Sequence, residues 1–229
     1  MAEPQDFHRR TPLRRMLDEQ GVPWTALPDG MIADPPDPDG AASRLGIADL
    51  TPLPRLGFKG RGTIPAMKAR GIVLEAEANR AFRQPDGSLC LVLAASEVVL
   101  LSSLAGDGSR LAALEEGFRI DDGEAAYPVP RRDSSAWFVV TGRFAPEMFS
   151  KLCGVDLRPH RFENLRIAQT SLARLNAVIV RADLSGTILF HVLADSASAA
   201  YLLECLRDGA QEFDGRLIGV SVLRGLETS

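Results

Sequence analysis

The stretch 165–193 limits the possible folds of this chain more than any other part of the sequence. It contains two apolar runs rich in β-branched residues, and the segment 181–186 between them carries a Ser-Gly pair typical of a turn. The first run is uninterrupted over 177–180, which predicts a strand covered on both faces. The second leads to Asp195 and Ser196, residue types that begin helices. The stretch therefore predicts a hairpin followed by a helix, inside a mixed α+β domain.

Length, charge and cysteine content exclude several classes of protein. At 229 residues the chain is long enough for one domain or for two small lobes that share a core. Its net charge of −4 offers no basic surface for nucleic acid or an anionic membrane. Cys90, Cys153 and Cys205 form no C-x-x-C pair, which is typical of reduced thiols. Because there is also no membrane-length apolar run and no signal-peptide pattern, the sequence predicts a cytoplasmic protein.

The first 50 residues are rich in proline, with the densest cluster at 35–40. Proline fixes φ and has no N–H, so this composition predicts an extended arm with no sheet and at most a short helix over 13–20. Trp24 and Leu27 need a surface that covers them, on this chain or on another. The alternative is a disordered tail. The sequence thus divides into an arm, residues 1–50, and a globular domain, residues 51–229.

The globular part alternates between strands and helices. The pattern predicts strands at 56–62, on either side of 94–97, at 136–142 and at 217–223, and helices from Pro65, at 146–153 and at 197–213. The glycine turn before Pro65 lacks Gly-Lys-Ser/Thr, which argues against a phosphate-binding loop.

Two pairs of segments resemble each other within the chain. Gly, Pro, Met, Gly, an aliphatic residue and Leu occur in the same order at 62–74 and at 142–157, each time after an apolar strand. A second similarity pairs 89–96 with 188–196. Together they predict a duplication that produces two related strand–helix lobes around one core.

Few residues are candidates for catalysis. The histidines, His8, His160 and His191, have no second His or Cys at metal-ligand spacing, and a G-x-S-x-G motif is absent from the sequence. His191 lies inside a predicted strand and is interpreted as a core residue, whereas His160 lies in a proline-containing loop. Gln169 and Arg174 are polar residues in an otherwise apolar strand, where they would fix the strand register or meet another subunit.

Several segments of the sequence resemble the gamma subunits of heterotetrameric sarcosine oxidases. The resemblance covers residues 53–214 and rests on PRLGFKGRG (54–62), SAWF (135–138), Gly142, CGVDLRP (153–159), AQTSLAR (168–174) and LADSASAAYL (193–202). It implies an α+β fold of two related mixed β-sheet/helix lobes, like the folate-binding domain of the glycine-cleavage T-protein.

The resemblance also implies a function. In such complexes a beta subunit oxidises the N-methyl group of sarcosine, an alpha subunit holds NAD and tetrahydrofolate, and a delta subunit holds zinc; FAD and FMN supply the flavin chemistry. This chain is expected to bind none of these groups and to act as a non-catalytic accessory subunit that contacts the alpha, beta and delta chains. The acidic folate contact and the C-terminal part of true aminomethyltransferases cannot be located in it. Alternatives are a gamma-type subunit of an N-methylglutamate dehydrogenase and a stand-alone folate-binding protein.

Contacts with partner subunits are predicted for three residues of the arm and for four polar residues of the globular domain. The candidates are Arg14, Trp24, Leu27, Arg61, His160, Gln169 and Arg174. Because an extended arm covers a partner without building a core, deletion of residues 1–50 is predicted to weaken assembly more than it unfolds the domain.

Overall fold

The computed structural model describes residues 9–118 and 123–228, and His8 lies outside them. Within these ranges the helices are α1 (Arg14–Glu19), α2 (Ala41–Arg44), α3 (Thr63–Ala69), α4 (Ser109–Gly117), α5 (Ala145–Ser150), α6 (Ala199–Ala210) and α7 (Val220–Glu227). The strands are β1 (Trp24–Leu27), β2 (Gly30–Ala33), β3 (Gly46–Asp49), β4 (Arg55–Lys59), β5 (Arg80–Arg83), β6 (Leu89–Ala94), β7 (Glu97–Leu101), β8 (Tyr127–Pro130), β9 (Ser135–Thr141), β10 (Ile167–Leu172), β11 (Leu175–Arg181), β12 (Leu189–Asp195) and β13 (Arg216–Leu217). In this part of the chain, no helix has the length and apolar character that crossing a membrane requires.

The two larger sheets share one topology. The five-stranded sheet has the order β5-β6-β7-β4-β8, and the six-stranded sheet has the order β10-β11-β12-β9-β3-β13. In each half, a strand (β4 or β9) leads into a helix (α3 or α5), and three antiparallel strands then return beside it. A second helix, α4 or α6, follows the last of these strands. The predicted α+β fold of two related lobes is confirmed.

The two lobes exchange one strand each. β3, which precedes β4 in the sequence, pairs antiparallel with β9 of the six-stranded sheet. β8, which precedes β9, pairs antiparallel with β4 of the five-stranded sheet. The β3–β4 and β8–β9 connections therefore cross between the sheets, and neither lobe completes its sheet from its own half of the sequence.

Apolar side chains are buried on both faces of the six-stranded sheet. Along β9, Phe138 and Val140 pack in the cluster that contains residues of α5 and α6, whereas Trp137 and Val139 pack against residues of the five-stranded sheet. Successive side chains of a strand point to opposite faces, so a strand covered on both sides needs a continuous apolar run. β11 follows the same rule, as its uninterrupted apolar run predicts.

The stretch 165–193 contains residues of three strands, whereas the sequence predicted two. The predicted hairpin is present as β11 and β12, which pair antiparallel. β10 forms a further hairpin with β11 through a two-residue turn at Ala173 and Arg174, whose φ angles are +48° and +66°. A turn with both φ angles positive normally carries Asn-Gly or a similar pair. Ala-Arg gives no such signal, so the turn was not predicted.

The prediction that residues 1–50 form an extended arm is wrong. The described part of this segment contains α1, the β1–β2 hairpin, α2 and β3, and β3 is an inner strand of the six-stranded sheet. Leu17, Ile32 and Ile47 are each at most 1% exposed. The described prolines lie before or between these elements, where no ladder N–H is needed, so high proline content is compatible with regular structure. The short helix predicted over 13–20 is confirmed as α1.

Two further predictions about the end of the chain and the duplication need correction. The predicted strand 217–223 is mostly helix: only β13 pairs with β3, and α7 begins at Val220. Val220 and Leu223, three residues apart, are the buried residues of this helix. The similarity between 89–96 and 188–196 joins β6 to β12, although the position of β6 in its sheet corresponds to that of β11. The first similarity, by contrast, joins β4–α3 correctly to β9–α5.

Candidate functional site

A cleft of about 720 Å³ lies between the two large sheets. Strands β6 and β7 of one sheet and β10, β11 and β12 of the other line it, together with the connection from β8 to β9. Its lining mixes aliphatic groups with hydroxyl and amide groups: Leu93, Glu97, Val99, Arg131, Ser134, Ser135, Gln169, Thr170, Ser171, Asn176, Ala177, Val178, Leu193, Ala194 and Asp195. The cleft is therefore suited to a partly polar ligand or a polypeptide segment.

One side of the cleft carries an ion-paired group. Glu97 accepts a hydrogen bond from Arg131 (Nη2 to Oε1, 2.6 Å) and forms a second ion pair with Lys59 (3.2 Å). Arg131 can lie across β4 because residue 57 is glycine, where a Cβ atom would stand 2.8 Å from the Arg131 Cγ. A glycine inside a strand often marks such a close approach. It is the one sequence signal that could have revealed this pair.

Gln169 joins the two sheets at the cleft. Its side-chain Nε2 donates to the Asn79 Oδ1 and to the Leu93 carbonyl oxygen, each at 2.8 Å. Asn79 has a φ of +61°, a conformation that Asn tolerates better than most residues. The side chain that the sequence predicted to fix register or meet another subunit thus holds β10 against the five-stranded sheet.

The carboxylates of the cleft are already engaged. Glu97 is paired with two cations, and the Asp195 Oδ1 accepts from the Ala197 N–H (2.8 Å) at the start of a 3₁₀ turn, as predicted for a helix cap. Among residues 9–118 and 123–228, no aromatic side chain lines the cleft. A tetrahydrofolate ring system needs stacking surface and a carboxylate for its amino-pyrimidinone edge. The cleft has room for such a molecule, but its residues do not fit that ring.

Two buried titratable groups, His191 and Cys90, are held in forms unsuited to acid–base or nucleophilic catalysis. Burial lowers the pKa of His191 to about 3, so its imidazole is neutral, and Nδ1 accepts from the Trp137 indole N–H at 3.0 Å. The interpretation of His191 as a core residue is confirmed. Burial raises the pKa of the Cys90 thiol to about 12, which removes its nucleophilic form. The described residues contain no cluster of three His, Cys, Asp or Glu side chains that could hold a metal ion.

A buried arginine forms hydrogen bonds to the β3–β4 connection and to the start of β9, where the β8–β9 connection ends. Arg55, 2% exposed, donates Nη1 to the carbonyl oxygens of Thr51 (2.8 Å) and Leu53 (3.1 Å), and Nη2 donates to the Ser135 carbonyl. Burial lowers its pKa to about 10, so it remains a cation at neutral pH. Burial also raises the pKa of nearby Asp49. This arginine therefore supports the strand exchange, and it contacts the cleft lining through the main chain of Ser135.

Three of the predicted partner contacts come from the N-terminal segment. Trp24 is half-buried: its indole N–H donates to Asp18 Oδ1 (2.8 Å), and the Arg14 guanidinium lies 5.2 Å from the ring centroid. Arg14 also pairs with Asp18 (2.8 Å). Leu27 is 6% exposed and belongs to the core between the sheets. These side chains make contacts within the chain, and Leu27 is inaccessible to a partner.

The other four candidates lie at the surface. Arg61 is exposed in the glycine turn before α3, and His160 is exposed in the loop before β10. Gln169 and Arg174 lie on the same hairpin, at the cleft and in the turn. Of these four, the structure brings only Gln169 and Arg174 to a common feature, whereas Arg14 and Trp24 contact each other in the N-terminal segment. The sequence did not predict Glu97, Arg131 or Asn176 as part of the cleft.

Comparison with known proteins gives structural but not sequence relatives. No protein-family model matches the sequence, and no curated protein matches it. A chain of the heterotetrameric sarcosine oxidase from Corynebacterium sp. U-96 superposes with a TM-score of 0.68 and 18% identity, over 90% of this chain and 96% of that one. The glycine cleavage system aminomethyltransferase T from Bartonella henselae superposes with a TM-score of 0.71 and 14% identity, over 96% of this chain and 62% of that one.

This chain has the aminomethyltransferase fold. It spans about three-fifths of the Bartonella enzyme, in contrast to nearly all of the matched sarcosine oxidase chain. At these identities the superpositions show the fold alone, which agrees with the fold that the sequence resemblance implied.

Proposed function

We propose that this chain is a non-catalytic accessory subunit, of the gamma type, in a sarcosine oxidase-type complex. The observation that carries the proposal is the match in both fold and extent to a chain of a heterotetrameric sarcosine oxidase, 96% of which is covered. The aminomethyltransferase has the same fold but extends well beyond the matched region. The segments quoted above as similar to gamma subunits support the same assignment.

The complex proposed here oxidises sarcosine to glycine and transfers the one-carbon unit to tetrahydrofolate. Its alpha, beta and delta subunits would carry FAD, FMN, NAD, tetrahydrofolate and zinc, and this chain would bind none of them. The carboxylates of the cleft are already hydrogen-bonded, and His191 is buried and neutral. Both observations favour a non-catalytic role for this chain. We also propose that the complex is cytoplasmic.

The test is to purify the native complex through an affinity tag on this chain. The expected result is co-purification of flavin- and dinucleotide-binding chains in equal amounts, with sarcosine oxidation that the isolated chain lacks. N-methylglutamate serves as the competing substrate: faster turnover of it would assign the chain to the dehydrogenase alternative. Recovery of a stable monomer without partner chains would refute the accessory role.

A stand-alone folate-binding protein is the second candidate, favoured by the volume of the cleft. Titration calorimetry with tetrahydrofolate separates the two. We expect no saturable heat, because the described lining residues include neither an aromatic side chain nor a free carboxylate pair. Saturable binding that is lost in Gln169→Ala but kept in Arg61→Ala would place folate in the cleft and support this second candidate.

A further inference from the structure

The outer edge of β10 has main-chain groups that face away from its neighbour. In an antiparallel pair, alternate residues direct N–H and C=O toward the partner strand. The register of β10 and β11, and the bond from the Arg181 N–H to the Arg166 oxygen (3.1 Å), assign the even-numbered residues of β10 to that role. The main chains of Ile167, Gln169 and Ser171 consequently point outward.

Other parts of the chain cover both ends of this edge. The Ile167 N–H donates to the Asn79 oxygen (3.0 Å), and the Ala173 N–H donates to the Leu152 oxygen (2.8 Å). Between these two bonds, the Gln169 N–H and C=O and the Ser171 N–H have no main-chain partner within residues 9–118 and 123–228. We call this segment, residues 169–171, the open edge.

The open edge lies at the mouth of the cleft. Both Gln169 and Ser171 are exposed, and both line the cleft. The two bonds from the Gln169 side chain hold the edge in place against the five-stranded sheet. The site is therefore formed before any partner arrives, which lowers the entropy lost on binding.

We propose that the open edge binds an extended segment of a partner subunit, which adds to the six-stranded sheet as a short strand. The inference rests on the proposed function, because the partner is a subunit of the same complex. A peptide main chain is the matching ligand, since it repeats N–H and C=O groups at the spacing of a strand edge. Every second side chain of the added strand enters the cleft, where Leu93, Val99 and Val178 provide aliphatic surface.

Charge adds a second requirement for the partner segment. Arg174 is exposed in the turn that ends β10, and the described residues give it no ion-pair partner. Arg131, by contrast, is already paired with Glu97 inside the cleft. The segment should therefore carry small or aliphatic residues at the cleft-facing positions and an acidic residue beside Arg174.

Amide hydrogen exchange measures whether the main-chain N–H groups of the open edge are hydrogen-bonded. It is compared between the chain alone and the complex purified through its tag. Alone, the Gln169 and Ser171 amides should exchange fast, whereas the Thr170 and Leu172 amides, which face β11, should exchange slowly. In the complex, exchange at Gln169 and Ser171 should slow by at least about tenfold.

A pair of variants tests the main-chain contact. Ser171→Pro removes the N–H and should weaken partner binding about tenfold, whereas the matched control Ser171→Ala removes only the hydroxyl and should leave binding unchanged. Thermal unfolding shows whether each variant folds. If Ser171→Pro does not fold, the exchange comparison on the native chain still tests whether the open edge binds a partner segment.

The outcomes separate this inference from the proposed function. A complex that forms without slower exchange at these two amides overturns the inference and leaves the accessory role intact. A chain that recruits no subunits overturns the accessory role and this inference with it. Slower exchange that accompanies a doubled mass of the chain alone would assign the edge to a second copy and also overturn the inference.

Discussion

The His191 imidazole is neutral because it is fully enclosed by the core, with the Trp137 indole as its hydrogen-bond donor. Burial lowers its pKa from 6.5 to about 3, so the folded state binds fewer protons than the unfolded state between these values. Stability should therefore fall as the pH drops below 6.5, by about 1.4 kcal/mol per pH unit from this group. Urea unfolding midpoints measured between roughly pH 7.5 and pH 5, a range above the titration of most carboxylates, check this pH dependence of stability.

His191→Asn is the matched variant for this pH dependence. The Asn amide oxygen can accept the Trp137 hydrogen bond but does not titrate. The variant should show a flatter stability profile over the same pH range than the natural chain. Identical slopes in the two proteins would mean that His191 does not cause the acid sensitivity.

Substitution of Arg55 tests how much a buried cation in the exchanged strands contributes to the free energy of unfolding. Arg55→Leu leaves the carbonyl oxygens of Thr51 and Leu53 without their donor and removes the positive charge near Asp49. We expect a loss of about 3 kcal/mol in the free energy of unfolding. Arg15→Leu is the control, because the Arg15 side chain is 92% exposed and its ion pair with Glu19 contributes little. Similar losses in both variants, measured by denaturant unfolding, would contradict a special role for Arg55.

At the scale of elements, the β10–β11 hairpin contains avoidable strain. Arg174 adopts a φ of +66°, which costs a residue with a Cβ about 1 kcal/mol relative to glycine. Arg174→Gly should therefore raise the free energy of unfolding by up to about 1 kcal/mol. In Arg161→Gly, a surface change at a residue with negative φ, glycine only adds disorder to the unfolded chain, so stability should fall slightly.

The same substitution connects stability to the partner site. Arg174 is the cation proposed to meet an acidic residue of the partner segment, so the more stable Arg174→Gly chain should also bind its partner less well. A variant that gains stability and keeps full partner affinity would show that the turn contributes only to the fold.

At the scale of the whole molecule, the N-terminal segment is part of the core. Deletion of residues 1–50 removes β3 from between β9 and β13 and exposes the surfaces that Leu17 and Ile47 cover. The structure thus reverses the expectation of an arm that serves assembly alone: the deletion should abolish cooperative unfolding as well as assembly. Thermal denaturation followed by circular dichroism measures this loss.

A graded version of this test uses two residues of α1. Leu17→Ala should cost about 2–5 kcal/mol because Leu17 is 1% exposed and its truncation leaves a cavity. Glu19→Ala changes an exposed residue of the same helix and should cost at most about 0.5 kcal/mol. Equal effects would argue that α1 does not pack on the core.

Local patterns in the sequence determined most elements of the two lobes. Strands β4, β6, β7, β9, β11 and β12 and helices α3, α5 and α6 follow from apolar runs, helix starts at proline and glycine stops, all of which act within a few residues. The duplication followed from the repeated order of Gly, Pro and Met. The core position of His191 could likewise be predicted, because a polar residue inside an apolar strand is usually buried with a partner.

Only the tertiary structure decided which strands pair across the lobes and where the cleft opens. β3 and β9 are separated by some ninety residues of sequence. An apolar run can show that a strand is buried on both faces, but no local pattern encodes which strand it pairs with. The same packing outweighs the unfavourable backbone of Ala173 and Arg174 and draws a proline-rich segment into the core. The cleft and the open edge of β10 are products of this long-range packing. For that reason the sequence predicted a polar contact for Gln169 but not the cleft or the edge in which this residue lies.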